Sequence, residues 1–152
     1  MRLATALQER VDLKDKIRYI RGRIEDNALV QEGEKSNEDP MELLAEHDEC
    51  CARLGKLMFA INYTNCHTMI DGKSLTQIIA EKDAFSMQAS SYSQVIDAAS
   101  RNTYRARQTE IKILSNVNVS ELVKEHDKIS KKIRELDNIL QEANWTTELI
   151  EP

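Results

Sequence analysis

The sequence predicts a mainly α-helical protein, an elongated antiparallel four-helix bundle built from coiled-coil hairpins. The chain of 152 residues has only four glycines and two prolines, so few turns can interrupt its helices. Aromatic residues make up 5% of the chain, which disfavours a many-stranded sheet. Apolar residues also recur at alternating steps of three and four in four long segments, which is typical of helices that pack along a seam.

Length and composition predict a single helical domain over residues 1–152. We expect helices at about residues 2–30, 40–64, 74–100 and 119–144. The polar stretch QEGEKSNED at residues 31–39 joins the first two helices, and Asp71-Gly72 marks a turn before the third. Short links between long helices predict antiparallel neighbours.

Each predicted helix has a seam of apolar positions. In the first helix these are Leu3, Ala6, Leu13, Ile17, Ile20 and Ile24, with Arg10 filling one slot. In the second they are Leu44, His47, Cys51, Leu54, Met58 and Ile61. In the third they are Leu75, Ile78, Lys82, Phe85, Ala89, Tyr92, Ile96 and Ala99. In the fourth they are Val119, Leu122, His126, Ile129, Ile133, Leu136, Leu140 and Ala143. Neighbouring apolar residues, such as Leu43 and Leu57, widen these stripes as in a bundle.

Three helix starts have the pattern of a capping box, a short polar residue followed three positions later by Glu or Gln. The motifs are Asp39-Pro40-Met41-Glu42, Ser74-Leu75-Thr76-Gln77 and Asn118-Val119-Ser120-Glu121.

Residues 101–117 break the helical pattern. There, TEIKIL alternates like a short strand and NTYRA is a candidate partner, so we expect either a short β-hairpin or strand or an irregular loop.

The triplet Glu-His-Asp occurs twice, in AEHDECC at residues 45–51 and in KEHDKIS at 124–130. Both histidines fall on predicted seams, and adjacent residues on a helix lie about 100° apart, so one triplet cannot place all three side chains on one ion. A metal site would need His47 with Cys50 or Cys51, and His126 from the fourth helix. The alternative is that the histidines and cysteines are ordinary seam residues.

A basic segment is the other candidate site. Its members share the least regular part of the chain and are Arg101, Tyr104, Arg105, Arg107 and Lys112. Cations with an aromatic ring favour a phosphate or an acidic partner. The same cations could instead pair with the acidic second helix, across the bundle or between subunits. The formal net charge of −5 argues against general nucleic-acid binding.

Other classes of function have no support in the sequence. We find no phosphate loop, nucleotide fingerprint or catalytic motif, so we expect no enzyme activity and no cofactor. Three cysteines and a charged N-terminus without an apolar core predict reduced thiols in the cytoplasm. No apolar run approaches the roughly 20 residues that a membrane-spanning helix needs.

Several stretches together resemble a family of uncharacterised bacterial proteins that often carries the transferred label "septicolysin". The matching parts are LATALQERVDLKDKI, VQEGEKSNEDPMELL, INYTN followed by DGKSLTQIIAEKDA, QTEIKILSNVNVSEL and NWTTEL. The label implies a membrane-lysing toxin, but the family has no established activity to transfer to residues here. The lack of an export signal and of any insertable segment argues against lysis.

Three hypotheses about function follow from these patterns. The first is a cytoplasmic, non-catalytic protein that forms a homo-oligomer, or binds a protein partner, through its heptad-patterned helices. The second is a metal-binding bundle that uses the His and Cys residues named above. The third is an RNA- or phosphate-binding adaptor that uses the basic segment.

Overall fold

The computed structural model describes residues 1–101 and 111–152. It contains four helices, α1 (Leu3–Asp26), α2 (Pro40–His67), α3 (Leu75–Ala99) and α4 (Val119–Thr146). Strands β1 (Met69–Ile70) and β2 (Lys73–Ser74) form a two-stranded sheet between α2 and α3. The predicted fold, mainly helical with four helices and a short β-hairpin, is confirmed. Helix α1 ends earlier than the sequence indicated, near Asp26 instead of about residue 30.

The β-hairpin lies before α3 and not in the predicted segment. Its turn residues Asp71 and Gly72 have φ angles of 48° and 80°, which a two-residue hairpin turn requires. Residues 101–117 contain no glycine to adopt such angles, and the described part at 111–117 forms no strand. The candidate partner NTYRA lies outside the described residues.

The three predicted helix starts are correct, but only one has a complete capping box. The Ser74 hydroxyl accepts from the backbone N–H of Gln77 at 3.2 Å, and the Gln77 side chain accepts from the N–H of Ser74 at 2.8 Å. Asp39 accepts from the N–H of Met41 at 2.9 Å, and Asn118 accepts from the N–H of Glu121 at 3.2 Å. Each of these bonds satisfies a helix-terminal N–H group that has no partner within the helix.

The chain divides into two compact units, residues 1–69 with 143–152 and residues 70–142. The prediction of a single domain over residues 1–152 stays a prediction.

In the first unit α1 and α2 pack side by side. They run antiparallel, because residues with increasing numbers along α1 contact residues with decreasing numbers along α2 and the segment before it. The predicted seam of α1 is buried or half-buried at every position.

The predicted seam of α2 is wrong at alternate positions. The buried residues are Leu43, Cys50 and Leu57, whereas their neighbours Leu44, Cys51 and Met58 are exposed. Together with His47, Leu54, Ile61 and Thr64, the buried set still follows steps of three and four. Around Ile20, Leu43 and Cys50 a core cluster forms, to which Leu13, Ile17 and Ile24 contribute.

The C-terminal segment ties together the start of α1 and the end of α2. The backbone N–H of Leu3 donates to the carbonyl of Thr147 at 2.9 Å, and the N–H of Leu149 donates to the carbonyl of Met1 at 2.7 Å. The N–H of Ile150 donates to the hydroxyl of Thr64 at 2.9 Å. That hydroxyl itself donates to the carbonyl of Ala60 at 2.8 Å, so the buried polar group is satisfied twice.

In the second unit α3 and α4 meet through charged and aromatic side chains. Lys82, which fills a seam slot of α3, forms an ion pair with Asp137. The Lys132 ammonium lies 5.2 Å from the centroid of the Phe85 ring. Because position 82 meets 137 and position 85 meets 132, these stretches also run antiparallel. The predicted seams of α3 and α4 are buried or half-buried throughout.

Thr64 provides the first test of this packing. Replacing it by valine keeps the shape but removes the acceptor for the Ile150 N–H, so we expect Thr64→Val to lower the free energy of unfolding by about 1–3 kcal/mol in urea denaturation. The control is Thr5→Val at an exposed position of α1, which we expect to change stability by less than about 0.5 kcal/mol. Equal effects of the two variants would contradict the assigned role of the Thr64 hydroxyl.

Candidate functional site

Three ion pairs close one edge of the α1–α2 seam. Glu9 pairs with Arg53 at 2.7 Å, Lys16 with Glu46 at 2.8 Å, and Arg23 with Glu38 through two contacts, one of them at 2.9 Å. The α1 members follow one another at steps of seven, as expected for one edge of a seam. We call this edge the ion-pair flank.

These pairs shift the pKa values of their members. The hydrogen bond from Arg23 lowers the pKa of Glu38 below its usual range, and the hydrogen bond from Lys16 does the same for Glu46. In return, Glu46 raises the pKa of Lys16, and Glu9 raises that of Arg53. The charged forms are therefore favoured in these pairs. The α1 members carry a negative, a positive and a positive charge in order, so a shift of register by one heptad would place like charges together.

On the opposite edge of the same seam, no ion pair joins α1 to α2 in the described part of the chain, and we call this edge the open flank. Helix geometry places on the open flank those residues that come one or four positions after a seam residue in the sequence. From α1 these are Leu7, Val11, Lys14, Arg18 and Arg21. From α2 they are Leu44, Cys51 and Met58. All are exposed except Leu7, which is half-buried.

A groove of about 290 Å³ lies along the open flank. Three cations of α1, Lys14, Arg18 and Arg21, line it together with the half-buried seam residues Ile17, His47 and Leu54, which form its floor. Arg18 contacts Asp15 at 3.0 Å and Arg21 approaches Glu25 at 3.8 Å, both on the solvent-exposed surface. Lys14 has no ion-pair partner in the described ranges 1–101 and 111–152. The groove therefore combines an apolar floor with a cationic wall.

The residues of the metal hypothesis can be described within their own helices. Cys50 is buried in the seam, and Cys51 lies on the open flank with its sulfur 3.9 Å from Nδ1 of His47. His47 Nδ1 is 3.3 Å from the Asp48 carboxylate, and His126 Nδ1 is 3.9 Å from that of Asp127. Nowhere in the described part of the chain do three His, Cys, Asp or Glu side chains form a group that could hold a metal. A metal site stays a prediction.

The doubled Glu-His-Asp occupies equivalent places in two helices. Helices α2 and α4 both have 28 residues. In each, Glu-Leu-x-x-Glu-His-Asp lies in the first three turns, at residues 42–48 and 121–127. Both histidines are half-buried seam residues. In α2, Glu46 turns to Lys16 while Asp48 points to solvent. The two triplets therefore take the same place along their own helices.

The basic segment can be followed only in part. Arg101 and Lys112 are exposed, and Arg101 lines a cavity of about 280 Å³ together with apolar residues such as Val95 and Leu114. Tyr104, Arg105 and Arg107 lie outside the described residues. Binding of a phosphate or an acidic partner by this segment stays a prediction.

Sequence reasoning missed the cations of the open flank. Lys14, Arg18 and Arg21 follow steps of four and three, which places them along one face of α1. That spacing was readable in the sequence. What was not readable is that the same face lines a groove with His47 and Leu54, because this depends on which stripe of α2 packs against α1.

Together these features define a mainly helical protein built from antiparallel helix pairs. The chain belongs to a family of unknown function (DUF6847), which it matches over residues 10–149. It is also similar to a protein of known structure, reported as the "crystal structure of a functionally unknown conserved protein from Corynebacterium diphtheriae", at 34% sequence identity and a TM-score of 0.91, with 99% of each chain covered. No curated protein matches the sequence. The resemblance to the proteins labelled septicolysin stays a prediction.

Within the described residues, no helix combines the length and the apolar character that crossing a membrane requires.

The ion-pair flank can be tested by exchanging charges. Lys16→Glu places two carboxylates together, so we expect a lower thermal midpoint, and the double variant Lys16→Glu/Glu46→Lys should recover most of the loss. Circular dichroism melts measure this. Lys124→Glu is the matched control, since Lys124 is exposed and has no ion pair in the described part of the chain. If the double variant melts no higher than the single one, the pair does not link α1 to α2.

The pKa shifts predict an acid dependence of stability. Because the pKa values of Glu38 and Glu46 are lowered in the folded state, their contribution is present above the unfolded pKa and is lost as the pH falls through the folded pKa. Urea midpoints should therefore fall between about pH 5 and pH 2. In Lys16→Gln/Arg23→Gln the decline should be shallower, because the two carboxylates have lost their cations. Parallel curves for the two proteins would refute this assignment.

Proposed function

We propose that this protein is a non-catalytic helical protein that self-assembles through the open flank of its α1–α2 pair. The observation that carries the proposal is the contrast between the two edges of one seam. The ion-pair flank is closed by three charge pairs, whereas the open flank exposes Val11, Leu44 and Met58 beside a groove. Apolar residues at heptad steps outside a buried seam are typical of helices that meet a further helix.

The spacing of the exposed residues supports a helical partner. Leu44, Cys51 and Met58 follow one another at steps of seven, so they form a straight stripe along α2. The stripe adjoins the groove floor formed by Ile17 and Leu54. A helix laid along it would complete a coiled-coil or bundle arrangement and remove this apolar surface from water.

A homo-oligomer is the simplest assembly that provides such a helix. Most soluble oligomers are built from identical chains related by closed symmetry, and a two-fold dimer is the commonest form. The proposed location is the cytoplasm, where the exposed thiol of Cys51 would stay reduced. A protein partner of another kind would use the same flank.

Light scattering coupled to size-exclusion chromatography tests the proposal. We expect the wild-type chain to be a dimer at about 10–50 μM, a range in which interfaces of micromolar affinity are occupied. Val11→Ser/Leu44→Ser should shift it to the monomer with unchanged helicity, because both side chains lie outside the seam. Val123→Ser is the control, as an equally exposed valine of α4. A monomeric wild-type protein would overturn the proposal.

A further inference from the structure

We propose that the helix pair on the open flank is that of a second copy, placed so that its loop end meets the basic stripe, and that two copies exchange this contact reciprocally. The loop end comprises residues 27–42, which connect α1 to α2 and include the first turn of α2. The basic stripe consists of Lys14, Arg18 and Arg21 on the open flank. This inference rests on the self-assembly proposed above and names the surfaces that meet.

The charge of the loop end complements that of the basic stripe. Residues 27–42 contain five acidic side chains and one basic side chain. Two of the acids are occupied within the chain, since Glu38 pairs with Arg23 and Asp39 caps α2. The exposed acids that remain are Glu32, Glu34 and Glu42. They would provide anionic partners for Lys14, which has none in the described residues, and for Arg18 and Arg21, whose contacts with Asp15 and Glu25 lie on the exposed surface.

The loop end also supplies apolar side chains that have nothing to cover them. Leu29 is 90% exposed, Val30 is 55% exposed and Met41 is 70% exposed. Leu29 and Val30 follow α1 directly, and Met41 lies at the start of α2, so all three belong to the same end of the helix pair. The groove offers an apolar floor of Ile17 and Leu54, with Leu44 beside it. Acidic and apolar groups on one surface thus match cationic and apolar groups on the other.

Symmetry selects this contact over a direct stacking of the two basic stripes. A two-fold axis through the stripe would place cations against cations, which is unfavourable. Arg18 lies eight residues before the end of α1 at Asp26, a distance of about 12 Å along the helix axis at roughly 1.5 Å per residue. If the helix pairs of two copies lie antiparallel and overlap by about this length, the loop end of each copy lies beside the basic stripe of the other. A single two-fold rotation therefore generates both contacts.

Charge reversal on the full chain tests this arrangement. The stripe variant is Lys14→Glu/Arg18→Glu and the loop variant is Glu32→Lys/Glu34→Lys. Each alone places like charges in the contact, so we expect its dimer dissociation constant to rise more than about 100-fold. An equimolar mixture of the two should restore the dimer, because in the mixed dimer each of the two reciprocal contacts pairs a basic surface with an acidic one. Sedimentation velocity measures all four samples, and circular dichroism checks that each variant is folded.

The control is Lys124→Glu/Arg134→Glu, which makes the same change of charge at exposed positions of α4 and should leave the dimer unchanged. If the wild-type protein is dimeric and either variant stays dimeric, or if mixing restores nothing, the inference is wrong while self-assembly stands. A monomeric wild-type chain would overturn both and leave the open flank to a different partner.

Discussion

Two packed helices bury one seam of side chains between them. The residues along the two edges of that seam determine which further contacts the helix pair can form. In α1 and α2 one edge is closed by Glu9–Arg53, Lys16–Glu46 and the Arg23–Glu38 pair. These contacts fix the antiparallel register, because a shift by one heptad would place Lys16 against Arg53. The opposite edge follows from the same register. On that edge the described ion pairs run within α1, from Arg18 to Asp15 and from Arg21 to Glu25, and apolar side chains of both helices are exposed beside them.

The sequence predicted the seams of α1, α3 and α4 correctly because each offers one continuous apolar stripe. Helix α2 offers two stripes with the same spacing, since Leu43-Leu44, Cys50-Cys51 and Leu57-Met58 are adjacent apolar pairs. Periodicity alone cannot rank two stripes that differ by a rotation of about 100°. Packing against α1 determines which stripe is buried, because the stripe at 43, 50 and 57 faces α1 when Glu46 contacts Lys16. The adjacent apolar pairs in the sequence already indicated that α2 has two apolar stripes, of which one is buried against α1 and the other is exposed.

The hairpin between α2 and α3 was missed for a related reason. Alternation in TEIKIL indicated strand geometry, but a hairpin also needs a turn with positive φ angles and a surface to lie on. Asp71-Gly72 supplies such a turn between α2 and α3. Lys82 was assigned to the seam of α3, and it is half-buried there while its ammonium group pairs with Asp137. Local patterns therefore located the helices well and the contacts between them less well.

Net charge was a poor guide to the candidate site. A total of −5 suggests a uniformly acidic surface, yet the basic stripe and the acidic loop end are separated by only about 12 Å along one helix pair. That separation exceeds the Debye length of about 8 Å at physiological ionic strength, so the two surfaces attract each other weakly within one chain. Both remain available to an outside partner that brings opposite charges into contact. A second copy carries both surfaces at the same spacing, which is why the proposed reciprocal contact needs no partner other than the chain itself.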